Sequence, residues 1–280
     1  MFYLLKSFIQ MKILLNNIDL NEALYGISDI GFVPTMGSLH KGHTSLIKKS
    51  LKECNKTIVS IFINPKQFNN KNDFKRYPRN YKKDLSILKK LKVNFVYIPK
   101  KNHIFKSKNQ KKITLFKKDK ILCAKYRKGH FEGVIDVMDR LTMIIKPKKI
   151  FMGEKDFQQL YLVKRYIRKK YKSKIIQCKT IRDKNKLALS SRNLLLNKKE
   201  LIKAGKIAKN IILFKKKLSI KDDINKLLLA KKDEYNKLFN IKIEYLENRN
   251  KHNLEITNKI QNSKIFIAYY INKVRLIDNF

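Results

Sequence analysis

The chain reads as an α/β protein: a doubly wound parallel sheet, followed by a smaller α+β domain. Three observations predict this. Short β-rich apolar runs alternate with helix-period stretches through the first two thirds of the chain. Several of those runs end in Gly-, Pro- or Asn-bearing turns. From about residue 198 the texture changes to two lysine-rich helical stretches and then strand-like runs. The boundary is expected at 184/185, giving a larger domain over 1–184 and a smaller one over 185–280.

The first such unit lies in Gly31–Ser50, GFVPTMGSLHKGHTSLIKKS. Gly31–Val33 reads as a buried strand, Pro-Thr-Met-Gly as its turn, and the following stretch as an amphipathic helix with Leu46 and Ile47 inward. The first backbone N–H groups of such a helix lack internal partners, and its dipole favours negative charge there. His40 and His43, three residues apart around Gly42, add donors that can follow charge developing on a phosphate.

Lys56–Pro65 (KTIVSIFINP) is the next strand, with Asn64 and Gln67 at its carboxyl end, where parallel sheets bind ligands. Asn-Pro is equally a turn former, and both readings stand at this point. Tyr81–Leu91 carries apolar residues at 85, 88 and 91 and predicts a helix, and Val93–Pro99 a strand. Residues 100–120 are a lysine-rich connector in which His103 reads as a solvated loop residue.

In RKGHFEG, Gly129 and Gly133 bracket His130 and Phe131, with Arg127 just before. Such a loop suits close approach of backbone to a ligand, or is a bare turn into a helix over 134–145. KIFMGEKD is a strand ending at Gly153, with Glu154, Lys155 and Asp156 leading into a helix over 157–171. Lys155 reads as a mobile cation for phosphate and Asp156 as the N-cap, while Gln158 and Gln159 fall on the first turn.

A short strand over 174–179 precedes LALSSRNLL. There Ser190, Ser191 and Arg192 offer two hydroxyls and a forked guanidinium, a phosphate clamp or a plain polar loop. Asn197 and Glu200 have capping-box spacing. Helices are expected over 198–217 and 220–239, and strands over 241–245, 264–270 and 273–277, with His252 exposed.

Composition bounds the partners. Apolar residues make up 43% of 280, enough for a core, and no apolar run is of bilayer length. The opening MFYLLKSFIQMKILL is broken by Lys6 and Lys12 and lacks a small-residue cleavage site, so it is not expected to be a secretory signal; Met11 is an alternative start. Cys54, Cys123 and Cys178 lie far apart without metal-ligand spacing, which fits a reducing cytoplasm. The net charge of +44 would suit nucleic acid or a membrane surface, or would follow from AT-biased coding. The lysines are dispersed and no nucleic-acid module accompanies them, so no specific nucleic-acid partner is expected.

PTMGSLHKGH, VSIFINPKQF, DFKRYPRN, RKGHFEG, GEKDFQQL, LALSSRN and the closing RLIDN, in that order, resemble the pantoate–β-alanine ligase family. The likeness is dense over residues 31–195 and thin beyond, except at the end. It implies a Rossmann-like larger domain with a C-terminal lid, a homodimer, and ATP with Mg²⁺. It also implies two steps: pantoate attacks the α-phosphorus of ATP to give pantoyl adenylate, and β-alanine attacks the adenylate.

By the same resemblance His43, His40, Lys155 and Arg192 would be catalytic, with His43 as proton donor. Met36, Gly37, Ser38, Leu39, Lys41 and Gly42 would run along ATP. Gly153, Glu154 and Asp156, with Ile181 and Leu189, would bound the nucleotide, and Ser190 and Ser191 would join the clamp. Gln67 and Gln159 would hold pantoate, with Asn64, Arg127 and His130 lining its site, and Gln67 would also touch β-alanine. Asp84 is a candidate metal-side carboxylate. The chain departs from the family at Lys186, where glycine is usual, and at Lys128, where proline is usual. Two other readings are a different H-x-G-H enzyme, against which no K-M-S-K-S-like segment is present, and a basic RNA-binding protein, against which no basic face interleaved with aromatics is evident.

Overall fold

A computed structural model describes residues 10–105 and 113–280. The opening stretch before residue 10 and the middle of the lysine-rich connector lie outside the described residues. The larger unit contains β1 (Lys12–Leu14), α1 (Asn17–Leu24), β2 (Ile30–Thr35), α2 (Lys41–Glu53), β3 (Lys56–Ile61), α3 (Lys71–Arg76), α4 (Tyr81–Lys90) and β4 (Phe95–Tyr97). It continues through α5 (Lys101–Ile104), α6 (Cys123–Tyr126), α7 (His130–Ile145), β5 (Lys149–Gly153), α8 (Phe157–Lys170) and β6 (Lys174–Cys178). Then come α9 (Lys198–Lys217), α10 (Ile224–Phe239), β7 (Lys242–Asn250), β8 (Ser263–Ile271) and β9 (Val274–Asn279).

The six strands of the larger unit pair in parallel in the order β1-β4-β3-β2-β5-β6. This is the doubly wound α/β architecture, and its four inner strands β4, β3, β2 and β5 are buried on both faces. Phe32, Ile58 and Ile150 pack with α1, α7 and α8, whereas their neighbours Val33, Val59 and Phe151 pack with α2 and α4. That alternation is the period of two along a strand, and it explains why the strands read as continuous apolar runs. The chain builds outward from β2 to β3 and β4, then crosses back to β5 on the other side. The switch point therefore falls between β2 and β5, where the carboxyl ends of such sheets leave a crevice.

β7, β8 and β9 form an antiparallel sheet. Ile265, Ile267 and Tyr269 face α9 and α10, while Phe266 and Ala268 join the core of the larger unit. Phe266 meets Phe157 edge to face at 5.7 Å. The small sheet is thus sandwiched between its own helices and the larger unit.

Several elements differ from their expected bounds. β1 and α1 are additional elements, α1 being capped by Asn16, which accepts from Ile18 and Asp19 N–H. The second C-terminal helix starts at Ile224 because Asp223 caps it, accepting from Lys226 N–H. The expected strand over 93–99 is β4, only three residues long. His103 sits on α5, where its Nδ1 accepts from Lys100 N–H at 3.2 Å, so it is a helix residue and not a loop one. Asn197 and Glu200 do form the capping box of α9. Among the described residues no helix is long and apolar enough to cross a membrane.

Candidate active site

Past the end of β2 the backbone turns through Gly37 (φ +76°) and Ser38 (φ +52°). Only glycine adopts the first of these without a Cβ penalty. Asp84, at the start of α4, holds the turn: its two oxygens accept from Ser38 N–H (2.8 Å) and Leu39 N–H (2.7 Å). Asp84 is 1% exposed. It is a structural carboxylate under the turn, each oxygen accepting one backbone N–H, and it is not among the residues that line the cleft described below.

The two histidines form a capping box at the start of α2. His40 Nδ1 accepts from Gly42 N–H at 3.1 Å, and His43 Nδ1 accepts from His40 N–H at 3.3 Å. Their rings lie 4.1 Å apart between centroids. A ring nitrogen that accepts a backbone N–H carries no proton, so each neutral imidazole keeps its proton on Nε2. Burial, reinforced by Lys155, pushes the His40 pKa down to about 4. Burial, reinforced by His40, pushes His43 down to about 3. Both are neutral donors at pH 7.

At the exit of β3, Pro65–Gln67 makes a 3₁₀ turn capped by Asn64, which accepts from Lys66 N–H. Gln67 Nε2 donates to Met36 Sδ at 2.9 Å. Asn64 is 1% exposed, and its amide donates to Gly133 O (2.9 Å) and Gln67 Oε1 (3.3 Å). Asn64 therefore braces Gln67 from below and is not part of the cleft wall, a correction to its expected place.

RKGHFEG is a helix start and not an open loop. Gly129 takes φ +79° and α7 begins at His130 itself. Arg127 Nη1 meets His130 Nε2 at 2.9 Å, and His130 Nδ1 meets Gln67 O at 2.6 Å. Since a guanidinium only donates, His130 Nε2 accepts and its proton sits on Nδ1, which donates to Gln67 O. Burial, reinforced by Arg127, pushes His130 down to about 3. Burial also pushes Arg127 down, to about 10, which leaves it charged.

Across the switch point, β5 ends at Gly153 and Glu154–Asp156 forms a 3₁₀ turn before α8. Asp156 stands at the N-cap position but makes no capping bond; its carboxylate pairs with Lys155 Nζ at 3.2 Å, which corrects the expected cap. Burial resists ionisation of Asp156, but Lys155 outweighs it and the pKa falls below the ordinary value. Glu154 points elsewhere, to Gln177 (2.7 Å) and Lys264 (3.3 Å).

Ser190 caps a 3₁₀ turn over Ser191–Leu195, and Ser191 Oγ donates to Ser38 O at 3.1 Å, tying this segment to the β2 turn. Arg192 pairs with Asp73 of α3 at 2.8 Å. Upstream, Lys186 takes φ +70° in the tight turn between the bridged residues Arg182 and Ala188. The turn is kept with a lysine where glycine would carry no strain.

These pieces enclose one cleft of about 1030 Å³. His40, Gly42, His43, Lys155 and Arg192 line it together with Met36, Gln67 and Gln159. Its wall also takes in Arg127 and His130, Gly153 and Asp156, Ile181 and Leu189, and Ser190 and Ser191. Of the remaining expected residues, Gly37, Ser38 and Leu39 form the turn behind the wall, Lys41 is exposed on α2, and Glu154 faces the smaller unit. Unforeseen are Asp73, Tyr77, Arg275 and Asn279, which also line the cleft. DFKRYPRN and RLIDN contain all four, yet composition and periodicity alone say nothing of where they point.

A parallel sheet whose switch point carries a histidine-capped helix beside a small antiparallel sheet defines an α/β enzyme of the H-x-G-H class. The family model described as pantoate-beta-alanine ligase matches residues 10–280. A pantothenate synthetase of Clostridium botulinum (strain ATCC 19397 / Type A) is 41% identical over 257 residues, 90% of each chain. One from Helicobacter acinonychis (strain Sheeba) is 38% identical over 276 residues, covering 96% of this chain and 99% of that one. Among solved structures, a Francisella tularensis pantoate-beta-alanine ligase complexed with beta-gamma ATP and beta-alanine superposes with a TM-score of 0.83 at 36% identity, covering 96% of this chain and 97% of that one. The Thermus thermophilus pantothenate synthetase gives 0.89 at 26% identity, covering 96% and 99%. This chain belongs to the pantoate–β-alanine ligase family.

Proposed function

We propose that the chain condenses pantoate with β-alanine in two steps at this one cleft. In the first, a pantoate carboxylate oxygen attacks the α-phosphorus of ATP; the new O–P bond gives pantoyl adenylate, and pyrophosphate leaves with the electrons of the broken P–O bond. In the second, the β-alanine amine attacks the acyl carbon and AMP leaves, giving pantothenate. The observation that carries this reading is the convergence of His40, His43, Lys155 and Arg192 with Gln67 and Gln159 on a single cleft at the switch point.

The chemistry asks for positioning and charge neutralisation more than for covalent help. Neutral His40 and His43 present Nε2–H donors to phosphate oxygens, and the bound triphosphate opposes the downward pull on their pKa values. Lys155 and Arg192 carry the charge, exchanging Asp156 and Asp73 for phosphate. Ser190 and the backbone of Gly153, Ile181 and Leu189 border the nucleotide. Gln67, held by Met36, Asn64 and His130, and Gln159 take pantoate hydroxyls, with Arg127 and His130 on the same side. Mg²⁺ is taken to arrive as part of the nucleotide substrate.

We read residues 1–184 and 185–280 as the catalytic body and its lid, and expect a homodimer working in the cytoplasm. Light scattering after size exclusion tests the dimer. Pyrophosphate release tests the reaction. ATP and pantoate without β-alanine should yield about one equivalent of pyrophosphate per site, and β-alanine should make release continuous. Release that ignores pantoate sinks the proposal.

A further inference from the structure

We infer that Asn279, at the end of β9, is a positioning residue for Lys155. It fixes the peptide planes of the turn that carries the lysine, so the lysine's aim depends on the docked smaller unit. The inference rests on the phosphate-binding role proposed for Lys155.

Asn279 is 3% exposed, and its side-chain amide donates to two consecutive carbonyls, Glu154 O and Lys155 O, at 2.9 Å each. In a trans peptide the C=O and the following N–H point opposite ways. Anchoring these two carbonyls on β9 therefore turns Lys155 N–H and Asp156 N–H away from the lid strand, and neither plane can rotate without losing a bond. Asn279 is itself held on both sides. Arg182 grips Asp278 through two bonds (2.6 and 2.9 Å) and donates to Asn279 O at 3.0 Å, while Asn279 N–H donates to Asp278 Oδ1 at 2.7 Å. One relay thus runs from the loop after β6 through the end of β9 to the Lys155 turn. The task needs a carboxamide: an ionised aspartate at this position accepts only, and it would face two carbonyl oxygens.

The experiment is steady-state kinetics toward ATP and toward pantoate for Asn279→Leu, Asn279→Ser, Lys155→Ala and the Asn279→Leu/Lys155→Ala double variant, each checked for folding by its melting curve. Leucine removes both donors at similar size. Serine keeps one donor in a smaller side chain and serves if the leucine variant does not fold. The expected result is a loss of about 10- to 100-fold in kcat/KM for ATP, as for a misplacement of about 1 Å near the reacting atoms. The KM for pantoate should stay within about twofold, and the loss should largely vanish in the Lys155→Ala background. Unchanged ATP kinetics in a folded variant, an equal effect on pantoate, or a loss that persists in full without Lys155 overturns the positioning role. If Lys155→Ala itself leaves ATP kinetics unchanged, the phosphate role of Lys155 is what fails. If Lys155→Ala is impaired and Asn279→Leu is not, only the positioning role fails.

Discussion

Replacing Gly133 by alanine sets two effects against each other, and the structure decides between them. Gly133 lies on the first turn of α7, where alanine raises helix propensity by about 1 kcal/mol. A Cβ there would stand 2.4 Å from Lys66 O, 2.7 Å from Lys66 C and 3.0 Å from Gln67 N, all backbone. Restoring ordinary contact requires the 3₁₀ turn to retreat by about 1 Å, and overpacking of this kind costs roughly 1–3 kcal/mol or more. Because the clashing atoms are all backbone, the cost falls in the upper part of that range, about 2–3 kcal/mol. It outweighs the propensity by about 1–2 kcal/mol, a fall in Tm of about 2–8 °C for a protein of this size. The retreat carries Gln67 with it, and also strains Asn64 and His130, which bond to Gly133 O and Gln67 O. Activity toward pantoate should therefore fall by about 10- to 100-fold in kcat/KM, with ATP much less affected. Differential scanning calorimetry and initial rates with each substrate varied in turn measure both effects. A higher Tm with unchanged pantoate kinetics would refute the claim that this contact sets the pantoate end of the cleft.

His40, His43 and His130 are held neutral with pKa values of about 4, 3 and 3, against about 6.5 when unfolded. Below pH 6.5 the unfolded chain takes up protons that the folded one refuses. Stability should therefore be full above about pH 6.5, fall as pH drops toward about 4, and gain no further loss from these groups below about 3. Denaturant titrations flat from pH 7 to 5 would contradict this. His43→Ala should lower adenylation by roughly 100-fold or more, as loss of a preorganised donor does, and near-normal pyrophosphate release would reject the role. Asp73→Ala frees Arg192 from a partly exposed pair of about 0–1 kcal/mol, so the KM for ATP should drop by up to about fivefold; a rise would show that Asp73 aims the arginine. Lys186→Gly relieves a left-handed residue, and Tm should climb by about 1–4 °C, readable by thermal melt; a decrease would mean that the lysine side chain stabilises the loop.

What can be read in the chain is whatever the chemistry encodes locally. The β2 and β5 exits are legible because glycine, histidine and lysine follow apolar runs at short range, and the Asn197–Glu200 box because it closes over three residues. The brace that Asp84 gives the turn is not legible because its partners lie 45 and 46 residues upstream, and only the folded turn brings them to its oxygens. The sequence places the start of α7 too late because Gly129 resembles loop, whereas its left-handed φ is what launches the helix. Asp156 suggests a cap on spacing alone, and the neighbouring ammonium takes it instead. Asn279, 124 residues from the carbonyl of Lys155, leaves no local trace of its bonds.

The brace around Gln67 has a consequence for how different parts of the cleft wall respond to their surroundings. Around Gln67 the contacts are short-range bonds of the buried Asn64 and His130, which mobile ions reach little. Elsewhere on the same wall the resting partners are Lys155 with Asp156 and Arg192 with Asp73, charges with part of their surface in solvent. Added electrolyte loosens the second set and leaves the first nearly untouched. On the proposed reading the molecule is stiff around Gln67 and ready to swap partners at Lys155 and Arg192, so ionic strength should change the KM for nucleotide more than the KM for pantoate.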